Sequence, residues 1–264
     1  MDLLVGSVSL RPYVFLFMAA FLVAGARDLG LRRTLLFGAI VWPLAWAAEF
    51  SSIHSGFPFG LYHYTGLTRG RELYIAGVPF FDSLSFTFLA YAAYCLARRG
   101  APPPFRRSSL ACGSLLAASP RDSIATAALT GFFMMMLDVV IDPAAVRGER
   151  WFLGHIFYYP QGGVYFGVPL SNFAGWWLVG AVGVAAYEAW ARPRGRSEGG
   201  RPEAGIALYY AVFVFNLMIT GWIGEWTLFA VGLTVHALIA GALVTIVRRA
   251  PASGVPGTRV VERA

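Results

Sequence analysis

The chain has 264 residues, 57% of them hydrophobic and 13% charged, and a mean hydropathy of +0.60. A soluble domain of this size carries about a quarter charged residues, so the composition excludes an ordinary soluble enzyme and indicates an integral membrane protein. The net charge of +7 comes from arginine alone, with no lysine, and its distribution along the chain, described below, excludes a nucleic-acid footprint.

A spanning helix needs about 20 apolar residues. In chain order the candidates are residues 10–26, 34–53, 76–97, 124–142, 168–191, 204–222 and 226–247. The expected fold is an all-α, polytopic membrane helical bundle of about seven transmembrane helices. Residues 98–123 form a connector that opens Gly100-Ala101-Pro102-Pro103-Pro104, a run that proline keeps from being helical throughout; within it, 109–119 is apolar but too short to span and is expected at the interface. Residues 192–203 read as a solvated hairpin, 1–249 as a single membrane domain, and 250–264 as a flexible C-terminal tail.

With seven spans, the N-terminus and the connections 54–75, 143–167 and 223–225 share one side. That side carries five of the 21 arginines: Arg11, Arg69, Arg71, Arg147 and Arg150. Arginine-rich connections stay cytoplasmic, so the N-terminus is expected outside, the C-terminus inside, and the protein in the cell membrane.

One hexapeptide pattern occurs twice: Gly77-Val78-Pro79-Phe80-Phe81-Asp82 and Gly167-Val168-Pro169-Leu170-Ser171-Asn172. Each copy opens an apolar span and places its proline where a first helical turn accepts it. Each follows an aromatic, glycine-rich loop, and each loop follows a span that ends in carboxylates: Glu49 in the first case, Asp138 and Asp142 in the second. The unit is therefore a duplicated helix–aromatic loop–helix, and internal repeats in membrane proteins often bracket a site. Asp82 and Asn172 take the same place in the two copies; both also suit the role of simple partners for free amides at a helix start.

An ionisable side chain inside a span costs about 2.5–3.5 kcal/mol on insertion scales. Asp138 and Asp142 are four apart, on one helical face. Two carboxylates that close, in low-dielectric surroundings, do not both ionise readily, and one that keeps its proton near neutral pH is a proton donor. The alternative for the pair is a water-exposed helix end, with Asp142-Pro143 terminating the span. Glu188, near Arg192, reads as a solvated ion-pair partner, and His236 as a packed, hydrogen-bonded histidine. Neither the two cysteines, Cys95 and Cys112, nor the four histidines have the spacing of a metal site, so no metal and no cofactor are expected. The first loop contains Phe57, Phe59, Tyr62 and Tyr64; the second contains Trp151, Phe152, Phe157, Tyr158, Tyr159, Tyr165 and Phe166. Such loops at membrane depth are tolerated where they are buried in protein or line a cavity, and aromatic faces stabilise cations.

Glu49, Gly56-Phe57-Pro58-Phe59-Gly60-x-Tyr62-x-Tyr64 and Gly77-Val78-Pro79 together resemble the first half of the carotenoid biosynthesis membrane-protein family, whose characterised members are carotenoid hydratases. The second half of that family is similar to Asp138-x-x-x-Asp142-Pro143, Gly148, Trp151, and Gly163-x-Tyr165-Phe166-Gly167-Val168-Pro169-x-x-Asn172-Phe173-x-Gly175-Trp176. The resemblance covers residues 40–190. It departs from the pattern at Trp151-Phe152, adjacent here rather than one residue apart, and at Tyr165-Phe166, where two tyrosines are usual.

The resemblance implies addition of water to a terminal isoprenoid double bond of an acyclic carotenoid end group, a reaction that needs no redox cofactor. It implies a carotenoid substrate within the bilayer, with other carotenoid-pathway enzymes as candidate partners. On that reading Asp138 first and Asp142 second are the candidate proton donors. Glu49, Asp82 or Asn172 would position water, and Tyr62, Tyr64, Tyr165, Phe173 and Trp176 would contact the substrate. Three alternatives stand beside it: a membrane carotenoid cyclase, a prenyltransferase suggested by the aspartate spacing, and a non-catalytic lipid transporter or binding protein.

Overall fold

A computed structural model describes residues 3–100, 120–191 and 200–249. The expected interfacial segment 109–119, most of the 192–203 connection and the tail 250–264 lie outside the described residues. Among the described residues there are eight α-helices: α1 (Leu3–Leu10), α2 (Pro12–Asp28), α3 (Leu31–Ser55), α4 (Phe80–Gly100), α5 (Pro120–Ala145), α6 (Leu170–Ala191), α7 (Glu203–Trp222) and α8 (Trp226–Arg249). Six of them, α3 to α8, are long and apolar enough to cross a membrane; α1 and α2 together supply a seventh only as one span bent by 89°. The first expected span, 10–26, therefore falls almost entirely on α2, with the bend at its start. Pro12 explains the break: the residue before a proline is driven out of the α region, and Arg11 sits at φ −126°, ψ 51° between the two helices.

α4 is the central helix. Its residues from Phe86 to Ala97 are buried without interruption, as expected of a helix apolar on every face, and it packs against α2, α3, α5, α7 and α8. The most extensive helix pair is α5 with α6. α8 is peripheral, with only 11% of its apolar window buried within the protein.

Both copies of the Gly-Val-Pro pattern fold into the same turn. In the first, β2 (Tyr74–Ile75) pairs with β3 (Val78–Pro79), so that Ile75 faces Val78. In the second, Tyr165 bridges Val168. The two central residues have positive φ in each: Ala76 at 49° and Gly77 at 85°, Phe166 at 49° and Gly167 at 90°. Successive positive φ values define the tight hairpin turn that suits twisted strands, and glycine takes the second position without steric cost. The prolines stand just ahead of the helices rather than in their first turns, since α4 starts at Phe80 and α6 at Leu170.

The two aromatic loops meet. β1 (His63–Tyr64) of the first pairs antiparallel with β4 (Phe157–Tyr158) of the second. Both loops therefore lie at one end of the bundle, and the two helix–loop–helix units run in the same direction across it. The antiparallel pairing of corresponding loops is what a two-fold relation along the bundle axis requires. Phe86 and Trp176 hold equivalent places, four residues beyond Asp82 and Asn172, and stack on each other with centroids 4.6 Å apart.

Candidate active site at the loop end of the bundle

A cavity of about 130 Å³ opens among the helix ends beneath the paired loops. α2 contributes to its wall near the Pro12 break, α3 through Glu49, α4 through Asp82 and Phe86, α5 through Asp142, and α6 through Asn172 and Trp176. The loops add Tyr62, Tyr64, Trp151 and Tyr159, and α7 adds Asn216. Of the sequence-predicted site residues, Glu49, Asp82, Asp142, Asn172, Tyr62, Tyr64 and Trp176 come together here. Asp138, Phe173 and Tyr165 do not line it.

Asp138 is fully buried behind Asp142. Nδ2 of Asn172 joins the two carboxylates, donating to Asp138 Oδ2 at 2.6 Å and to Asp142 Oδ2 at 2.8 Å. Trp176 Nε1 donates to the same Asp142 oxygen at 3.3 Å, and the Asp142 amide donates to Asp138 Oδ1 at 3.2 Å. Asp142 thus presents a carboxyl to the cavity while Asp138 and Asn172 hold it from behind. Asp142-Pro143 does not end the helix, as the exposed-terminus reading has it; α5 continues to Ala145. Pro143 has no N–H for the carbonyl of Val139, and the hydroxyl of Tyr165 donates to that carbonyl at 3.3 Å. This explains Tyr165: its ring packs edge-on against Phe173, 5.2 Å away, and the pair closes the helix junction from outside the cavity.

Also on the cavity wall, Glu49, 4% exposed, accepts a hydrogen bond from the Tyr64 hydroxyl at 3.2 Å. Burial, then the neighbouring Glu49 carboxylate, pushes the Tyr62 and Tyr64 hydroxyls well above the ordinary phenol range. Burial followed by Asp142 does the same at Tyr159. These hydroxyls remain protonated donors across the physiological range. Tyr62, Tyr64, Phe157 and Tyr159 form one ring cluster, with Tyr62 at 5.4 Å from Tyr64 and 5.7 Å from both Phe157 and Tyr159.

Two residues in or beside this wall escape sequence reading. Arg11 counts there only as a topology charge, yet it is 1% exposed. Its Nε and Nη2 donate to Glu72 at 2.6 and 3.1 Å, while Nη1 and Nη2 donate to Asp82, the latter at 3.3 Å. Glu72, 2% exposed, comes from the first loop. The only signal available was Arg-Pro at the start of an apolar run, which marks a break without saying what the arginine meets. Glu188 is also buried, 4% exposed, and accepts from Tyr94 and Ser123, so it is not the solvated residue expected. Its partners come from α4 and α5, the helices packed against its own α6, which residue spacing does not reveal. His236 is packed as expected: it stacks on Phe213 at 3.7 Å, with Nε2 at 3.0 Å from the Met136 carbonyl.

The family described as "Carotenoid biosynthesis protein" matches residues 11–239. The chain belongs to that family. It is 30% identical over 190 residues to a bisanhydrobacterioruberin hydratase from Haloarcula japonica, an alignment that covers 70% of this chain and 57% of the relative. No solved structure matches. For this carotenoid biosynthesis family member, the matched segment begins at Arg11 and takes in every helix that lines the cavity.

Proposed function

We propose that the protein is a carotenoid hydratase, adding water across the terminal double bond of an acyclic carotenoid end group. The observation that carries this reading is one small cavity whose lining combines a carboxyl held by amide and indole donors with further carboxylates and aromatic rings. A cavity of about 150 Å³ accepts a benzene-sized molecule; the 130 Å³ here suits one isoprenoid unit, with the polyene extending away into the bilayer. The hydratase from Haloarcula japonica supports the same reaction class.

In the proposed step the Asp142 carboxylic acid gives its proton to the less substituted carbon of the double bond, and the tertiary carbon becomes cationic. Asp138 and Asn172 hold Asp142 in place. The rings of Phe86, Trp176 and Tyr62 stabilise the cation through their faces. Water bonds to the tertiary carbon and gives up a proton to another carboxylate of the cavity, Glu49 or Asp82. Return of that proton to Asp142 restores the site, so that alkene plus water becomes tertiary alcohol. A magnesium-diphosphate site is less well supported, because Oδ2 of Asp142 is already taken by the Asn172 and Trp176 donors.

Membranes carrying the protein, incubated with an acyclic carotenoid such as lycopene, are expected to yield a product heavier by one water. Asp142→Asn should lower the rate by about 10²–10⁴, the usual contribution of a general acid, while the protein still accumulates in the membrane. An isomeric ring product would indicate a cyclase instead. Wild-type rates from Asp142→Asn would remove Asp142 from the chemistry.

A further inference from the structure

Arg11 makes four hydrogen bonds to two carboxylates, Glu72 and Asp82. The count of charges in this cluster is odd: one guanidinium against two acids. Glu72 accepts from Nε and Nη2 and its side chain has no exposed surface. Asp82 accepts from the other edge of the fork, and 22% of its side chain remains open, toward the cavity that it lines. Arg11 and Glu72 therefore close into a neutral, buried pair, and the spare negative charge falls on the one carboxylate of the cluster that the cavity can reach.

We propose that Arg11, set in the Pro12 break, is a positioning residue that keeps Asp82 ionised as the acceptor of the proton from the attacking water. This rests on the hydratase reading. A cluster with one negative charge in excess becomes neutral when it takes a proton, which favours transfer from water at the moment the cation is captured. The two halves of the repeat then carry opposite tasks. Asn172 neighbours the carboxyl that starts with a proton. Asp82, at the equivalent place in the other half, has the arginine. The other titratable or charged groups around Asp82 are Glu72, Tyr62, Tyr64 and Tyr74 from the first loop, Tyr13 of α2, Glu49 of α3 and Asp142 of α5. Arginine is suited to the place because its planar fork serves two carboxylates at once and stays charged.

The test has two arms. In the first, infrared spectra of purified protein at pH 7 are compared with those of Asp82→Asn. Loss of an ionised-carboxylate band is expected, and loss of a protonated-carboxyl band would overturn the proposal. Arg11→Gln should convert that band toward the protonated form; an unchanged ionised band would also overturn it. This arm needs no turnover, so it stands if the hydratase reading fails. In the second arm, Asp82→Asn and Arg11→Gln are each expected to lower kcat on an acyclic carotenoid about 100-fold with KM little changed. The double variant should be no worse than either alone, and Arg11→Lys should recover part of the rate. Additive losses, or an active Asp82→Asn, would overturn the role of Arg11 while leaving hydration itself intact. Absence of any hydrated product from the wild type would instead defeat the hydratase reading. Retention in the membrane and elution as a single detergent-solubilised species identify variants that have merely failed to fold; Arg11→Lys, which keeps the charge, then carries the kinetic comparison.

Discussion

At the scale of single residues, the protein places carboxyl groups where they are costly and surrounds each with specific donors. Glu49 has Tyr64, Asp142 has Asn172 and Trp176, and Asp82 has Arg11. A buried acceptor that loses its donor keeps its desolvation penalty, about 1–3 kcal/mol for a neutral group and more for a charge. Tyr64→Phe removes the hydroxyl that Glu49 accepts from and leaves the ring in place. Under the proposed hydratase reaction it is expected to reduce product formation about 10-fold while shifting the melting temperature by only about a few degrees, measured by product analysis and by thermal unfolding in detergent. The carboxylates themselves were legible in the sequence, because acids within apolar runs stand out. Which of them reaches the cavity was not: the turn of α5 puts Asp142 on its wall and buries Asp138 behind it.

At the scale of elements, the duplicated helix–loop–helix unit was legible because it is written in local terms. A positive-φ pair followed by proline specifies a turn wherever it occurs, and both copies form it. How the two units engage was not legible. The first loop lies against the second unit's helix at Gly175, where an added Cβ would come within 2.5 Å of the Phe59 ring and 2.9 Å of the Pro58 carbonyl oxygen. Gly175→Leu should therefore separate α6 from the loop. Overpacking of this kind typically costs about 1–3 kcal/mol, and the expected result is a lowered melting temperature together with loss of turnover. An unchanged melting temperature would show that the loop can yield without cost. Pro143 teaches a similar lesson: read locally it ends a helix, but in the fold α5 continues because Tyr165 satisfies the carbonyl that the proline leaves free.

At the scale of the whole molecule, both aromatic loops and the cavity share one end of the bundle, and the arginine distribution leads us to propose that this end faces away from the cytoplasm. The proposal is open to labelling. In a Cys112→Ser background, with Cys95 buried, a cysteine replacing the exposed Gln161 in the second loop should react with a membrane-impermeant maleimide on intact cells. One replacing the exposed Arg201, between α6 and α7, should react only after permeabilisation. The reverse pattern would invert the orientation and put the cavity mouth on the cytoplasmic side.

Membrane residence, the order of the six long helices α3 to α8, the repeat and the acids within it follow from the sequence alone, since each depends on composition or on residues a few positions apart. The tertiary structure decided what those acids meet. Arg11 finds Glu72 61 residues away and Asp82 71 residues away, and Asn172 reaches back 34 and 30 residues to its two aspartates. Helical periodicity says which face a side chain shares, whereas the bundle's packing sets which face of which other helix stands opposite. For that reason the sequence displays a set of expensive charges, and only the fold shows that one faces a cavity as a candidate acid and another is held by an arginine.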